Sequence, residues 1–162
     1  GRHGITGTDE AWTDVVDFGI RAVVAARRYL AERPDVDPQR IAVIGFSEGG
    51  NVTLWSAIES EGFRAVVLLA PATLSHTKSR RLFMAAQEDQ VRQIKAPVFL
   101  AATQNDNPPI IRVSQNNLIP NLQKTNPGFR HRIDYPGSHK TFYDVDDEYW
   151  KDVTAFLKQH LN

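Results

Sequence analysis

Between positions 9 and 32 the apolar residues fall on one stripe: Trp12, Val16, Ile20, Val23 and Leu30 recur at helical spacing, with Val15 and Val24 beside them. This predicts an amphipathic helix. Thr8 is placed to cap it, Asp9 and Glu10 suit the positive end of its dipole, and Pro34 stops the pattern. The period then changes. Residues 40–46 form a short, nearly continuous apolar run rich in β-branched side chains, which suits a parallel strand covered on both faces. Ser47-Glu48-Gly49-Gly50 follows at once, and residues 48–61 read as a helix with Val52, Leu54, Trp55 and Ile58 on its buried side.

The alternation continues to the end of the chain. Residues 63–70 predict a second buried strand ended by Pro71, and helical character returns over 80–94. A third strand, 98–102, follows Pro97. A loop over 103–109 leads into a weaker helical stretch, 110–122, and Asn126-Pro127-Gly128 makes a turn. Residues 130–135 alternate as a fourth strand, and 146–161 close the chain as an amphipathic helix. Four strands alternating with helices predict the α/β class: a parallel sheet of about four strands flanked by crossover helices. No repeat or internal linker interrupts the pattern, so residues 1–162 are expected to form a single domain.

Composition removes several function classes. With 19 basic and 19 acidic residues the formal net charge is zero, so no whole-chain field favours nucleic acid or an anionic membrane. The small clusters Arg27-Arg28 and Lys78-Ser79-Arg80-Arg81 read as solvated helix surface. Cysteine is absent, which excludes disulfides, a thiolate nucleophile and cysteine-ligated metal. The longest apolar runs, such as 65–72, fall far short of the roughly 20 residues a membrane-spanning helix needs. The chain opens at Gly1 without a charged-then-apolar leader, so a signal peptide would lie upstream, and the cytoplasm is the expected compartment.

Chemistry is concentrated at Gly45-Phe46-Ser47-Glu48-Gly49, a G-x-S-x-G pattern set where a hydrophobic strand ends and a helix begins. A serine on such a sharp turn projects its hydroxyl above the sheet, and the next backbone N–H, here that of Glu48, points at the reacting oxygen. Gly45 and Gly49 are expected to let strand and helix pass closely, with Gly50 a third small residue at the crossing. The alternative is a glycine-rich turn with Ser47 as an N-cap. A phosphate-binding loop lacks support, since neither G-x-x-x-x-G-K-[ST] nor G-x-G-x-x-G occurs.

A serine hydroxyl is a weak nucleophile at neutral pH, so a histidine must take its proton and a carboxylate must orient that histidine. Of five histidines, His3 precedes the elbow strand, His76 comes too early, His131 lies inside the fourth strand and His160 in the last helix. His139 alone follows the last strand, in Tyr135-Pro136-Gly137-Ser138-His139. For the acid, Asp106 lies directly past the third strand, whereas Asp89, Asp134 and Asp144 fall in a helix, in a strand and after the histidine. A surface loop histidine remains the alternative for His139, and an Asx-turn or helix-cap aspartate the alternative for Asp106.

At these residues the chain resembles the dienelactone hydrolase family and its α/β-hydrolase relatives, including prolyl-oligopeptidase-like and acetyl-xylan-esterase-like enzymes. Residues 36–50, Val36-Asp37-Pro38-Gln39-Arg40-Ile41-Ala42-Val43-Ile44-Gly45-Phe46-Ser47-Glu48-Gly49-Gly50, carry the most specific part. The stretch from Gly7-Thr8-Asp9-Glu10-Ala11-Trp12 to Leu30 is similar to the helix preceding the elbow, and 97–106 and 136–139 to the acid and histidine loops. The family's dienelactone hydrolases use cysteine where this chain has Ser47, so a lactone substrate is not implied. Where the family often has glycine at the start of the acid loop this chain has Thr103, and after the histidine it has Lys140-Thr141-Phe142. The resemblance implies a carboxylic ester hydrolase working on a small ester through an acyl-enzyme, with no metal or organic cofactor. Peptidase or acyltransferase activity would use the same three residues.

It also implies a sheet of eight strands, four of them before the elbow. That half, expected to be absent here, would supply the second oxyanion N–H. One such donor is typically worth about 10²–10³ in rate. The elbow strand is then expected to be an exposed hydrophobic edge, covered by a second copy in a homo-oligomer or by a complementing N-terminal segment. A non-catalytic remnant or interaction module is the competing reading.

Overall fold

The computed structural model describes residues 9–76, 78–145 and 147–162. The expected cap Thr8 and the histidine at position 3 lie outside the described residues. The first helix, α1 (Asp9–Ala31), runs 23 residues and turns Val16 and Ile20 inward. It leads to the strand β1 (Ala42–Phe46), then α2 (Glu48–Glu59), β2 (Ala65–Leu69), α3 (Arg80–Met84), α4 (Glu88–Val91) and β3 (Val98–Asn105). Next come α5 (Pro108–Val113), a π turn over Ser114–Leu118 and α6 (Ile119–Thr125). The chain closes with β4 (Arg130–Ser138), a 3-10 turn over His139–Tyr143, and α7 (Glu148–Leu161).

The four strands among the described residues are parallel, in the order β1-β2-β3-β4. Period-two alternation along β2 builds two cores. Val66 and Leu68 face Val16, Ile20, Leu54, Trp55 and Leu82, beneath the layer of α1 to α6. Ala65, Val67 and Leu69 face Phe99, Phe142, Tyr149, Val153 and Phe156, beneath α7 and the 3-10 turn. β2 is buried throughout, the reason its sequence is uniformly apolar. Among the described residues β1 lies at the sheet edge, and Ile44 is 43% exposed there.

Three departures from the sequence pattern have local causes. The helix expected over 80–94 is broken into α3 and α4. Asn121 donates its side-chain amide to the Ala86 carbonyl (2.8 Å), and Gln90 N–H turns to Gln87 instead of continuing an α-helical ladder. β3 and β4 run three residues beyond the expected 102 and 135. Their extensions pair Thr103 with Tyr135 and Asn105 with Ser138 across register shifts, so polar residues that read as loop are strand. Arg81 is not a solvated surface charge. Its guanidinium lies 3.8 Å from the Trp55 ring centroid and pairs with Asp17 (2.7 Å) and Glu59 (2.9 Å), joining α1, α2 and α3.

Candidate active site

Where β1 ends and α2 begins, Ser47 adopts φ 54° and ψ −117°. A non-glycine residue with positive φ is strained, at a cost on the order of 1–3 kcal/mol, and persists only where its surroundings hold it. Here three backbone hydrogen bonds do so. The Ser47 N–H donates to the Leu69 carbonyl (2.9 Å), and the Ser47 carbonyl accepts from the N–H groups of Asn51 (3.1 Å) and Ala72 (2.8 Å). The nucleophile candidate is thus tied both to its own helix and to the segment leaving β2.

Glycine is required on both sides of this crossing, at positions 45 and 50. A Cβ on Gly45 would overlap the Gly49 carbonyl and the Thr53 hydroxyl, and one on Gly50 would lie 2.9 Å from Pro71 Cα. Gly49 differs from the sequence expectation: a Cβ there meets nothing within 4 Å among the described residues. The close passage of helix and neighbouring segment occurs one residue later.

The Ser47 side chain makes no capping bond to α2. Its Oγ lies 2.9 Å from His139 Nε2, and His139 Nδ1 lies 2.7 Å from Asp106 Oδ1. With the imidazole proton on Nδ1, the ring donates to the carboxylate, and its Nε2 lone pair accepts from the serine hydroxyl. The Asp106 side chain is fully buried. Its oxygens also accept from the Asn107 N–H (2.7 Å) and the Thr103 hydroxyl (3.2 Å), so three donors converge on the carboxylate. His139 opens the 3-10 turn rather than an irregular loop. Ser138 and Thr141 cap that turn reciprocally, the Ser138 N–H donating to Thr141 Oγ1 at 3.2 Å. The three side chains selected from sequence therefore meet, from three separate strand ends. The described remaining histidines rest against phenylalanine rings: His76 on Phe83, His131 on Phe129 and His160 on Phe156.

The Glu48 N–H is the first of α2, one of the amides at a helix start that have no carbonyl a turn earlier to bond. It lies on the helix dipole's positive end, where a developing negative charge is favoured.

The sequence profile described as "Dienelactone hydrolase family" matches residues 4–161. The chain belongs to the dienelactone hydrolase family. Its structure is similar to a dipeptidyl peptidase 4 of Porphyromonas gingivalis, with a TM-score of 0.72 and 21% identity over 90% of this chain and 23% of that one. It is similar to the Pyrococcus furiosus esterase Pf2001, at 0.66 and 20% over 100% of this chain and 66% of the other. A third likeness is to the α/β hydrolase GrgF from a Penicillium species, at 0.68 and 16% over 90% and 72%. No curated protein matches. At these identities the likenesses show the fold, which is that of the α/β hydrolases. The chain spans 23% and 66% of the first two proteins' lengths.

Two supports of this candidate site are not apparent from the sequence pattern. Thr103 looked like a departure from the family pattern but is a buried donor to Asp106. Phe46 looked like a strand residue, yet its ring lies 4.6 Å from the His139 imidazole. Position offered a signal for each. Thr103 stands three residues before the acid, the spacing of local side-chain hydrogen bonds, and Phe46 is the residue before the nucleophile.

Proposed function

We propose that this chain is the nucleophile-bearing part of a serine hydrolase that cleaves small carboxylic esters through an acyl-enzyme. Ser47 Oγ attacks the carbonyl carbon while His139 Nε2 takes the hydroxyl proton, giving a tetrahedral intermediate. Asp106 holds the ring by Nδ1 and stabilises its positive charge, and the Glu48 N–H donates to the oxyanion. Collapse breaks the bond to the alcohol, which leaves with the proton from His139. Water, deprotonated by the same nitrogen, then attacks the acyl-serine, and the acid is released as His139 returns the proton to Ser47 Oγ. This chemistry needs no metal or organic cofactor. The observation that carries the reading is the Ser47–His139–Asp106 chain at 2.9 and 2.7 Å, with its serine held at positive φ.

Turnover of short p-nitrophenyl esters, lost in S47A and in H139A, is the expected result. Turnover retained in both variants contradicts it. A chain that is soundly folded but inert would support the remnant or interaction-module reading instead.

Peptidase activity is the second reading, supported by the likeness to dipeptidyl peptidase 4. Dipeptide p-nitroanilides cleaved faster than the matching p-nitrophenyl esters would favour it. For partners, among the described residues β1 is hydrogen-bonded on one side only, which supports covering of that edge by a second copy or a further N-terminal segment. A monomer in size-exclusion chromatography at high concentration would count against the second copy.

A further inference from the structure

Two hydrogen bonds hold the His139 ring along one line, from Nδ1 at Asp106 to Nε2 at Ser47. Both bonds act at the ring edge and neither touches a ring face, so by themselves they oppose only weakly a tilt of the imidazole that carries Nε2 off that line and away from the serine hydroxyl. The face contact that prevents this comes from Phe46, 4.6 Å away and tilted by 38°. Phe46 is itself backed by Phe142 at 5.7 Å, and Phe142 by the buried Tyr149 at 4.9 Å, whose hydroxyl donates to the Phe142 carbonyl (3.2 Å). Tyr143 meets the same Phe46 ring edge-on at 5.2 Å. A chain of tilted and edge-on rings thus runs from the second core to the imidazole.

We propose that Phe46 is a positioning residue for His139: its aromatic face, anchored through Phe142 and Tyr149, holds the imidazole in line between Asp106 and Ser47. This rests on the proposed serine hydrolase function. Because Phe46 is the chain neighbour of Ser47, a single backbone step places both the attacking oxygen and the wall behind its base. An aromatic face also suits the positive charge the ring acquires when it takes the serine proton, which an aliphatic side chain of similar bulk does not.

The test compares F46L and F46M, which keep apolar bulk, with F46Y, which keeps the ring, after circular dichroism shows which variants fold. On a p-nitrophenyl ester, F46L or F46M loses about 10- to 100-fold in kcat with KM unchanged, and F46Y keeps kcat. The second readout does not need turnover. The Nδ1–H proton held by Asp106 gives a downfield proton resonance that is sharp in the wild type and in F46Y, and broadened by exchange with water in F46L or F46M. Full kcat in an aliphatic variant, a loss shared with F46Y, or a loss confined to KM overturns the inference while leaving the hydrolase reading intact. Should the wild type turn over no ester, the ester-hydrolase reading fails and the resonance alone decides. Broadening only in the aliphatic variants upholds the role of Phe46, and an unchanged signal overturns it.

Discussion

Gly45 and Thr53 pack with no room between them: a Cβ on the glycine would overlap the threonine hydroxyl, and the Gly49 carbonyl as well. Since both obstacles belong to α2, a side chain at 45 would push the helix away from the strand that positions Ser47. G45A is expected to destabilise the chain by about 1–3 kcal/mol, the usual cost of overpacking, and to lower ester turnover with it. G49A has open space and exchanges a flexible residue for a better helix former, so it is expected to leave stability equal or raised by up to about 1 kcal/mol. Urea unfolding of the two variants, side by side, checks both.

Asn51 connects stability to the site. Fully buried on α2, it donates its side-chain amide to the carbonyls of Ala72 and Leu82, both at 3.2 Å, and Ala72 in turn holds the Ser47 carbonyl. N51A strands two buried acceptors and is expected to cost about 2 kcal/mol or more. Turnover measured well below its unfolding temperature should fall too, since the segment that restrains Ser47 loses its tether.

Strand and helix alternation was legible because β1, β2 and the helix faces each keep a single hydrophobic period over their length. Ser47, His139 and Asp106 were legible because each follows a strand directly, and position removed their rivals. The extensions of β3 and β4 were not, since Thr103-Gln104-Asn105 and Pro136-Gly137-Ser138 are polar or turn-forming and become strand only by pairing with each other. The break at 85–87 depends on an amide from Asn121, 35 residues later, which no local pattern encodes. Thr103 bonds locally to Asp106, which only its spacing signals, and Phe46 meets the His139 ring from a distant strand, so their residue types alone said nothing of the partners they meet.

Tyr135 gives the chain an alkaline limit. Burial, and then the hydrogen bond its hydroxyl donates to Asp152 (2.5 Å), push its ionisation well above the ordinary tyrosine range. An unfolded tyrosine ionises near pH 10, while the folded one keeps its proton. The contribution is therefore whole below about pH 10 and is lost as pH rises beyond it, because only the unfolded state gains by releasing the proton. Y135F should be less stable than the wild type at pH 8 and lose less stability between pH 9 and pH 11, as read from urea midpoints.

Asp106 is expected to act through charge and not merely through shape. D106N keeps the size of the side chain but places an amide among donors from Asn107, Thr103 and His139, which favours the wrong imidazole tautomer. Its kcat should fall by about 10³- to 10⁴-fold with the fold intact. A fall of less than tenfold would show that the carboxylate does not orient His139 for the reaction.

Covalent capture tests the nucleophile most directly. Incubated with an alkyl fluorophosphonate, the wild type should lose fluoride from the probe and gain one phosphonyl group, mapped by peptide mass spectrometry to Ser47, with labelling abolished in S47A and strongly slowed in H139A. Equal labelling of S47A, or a phosphonyl group on any other residue, would contradict the account.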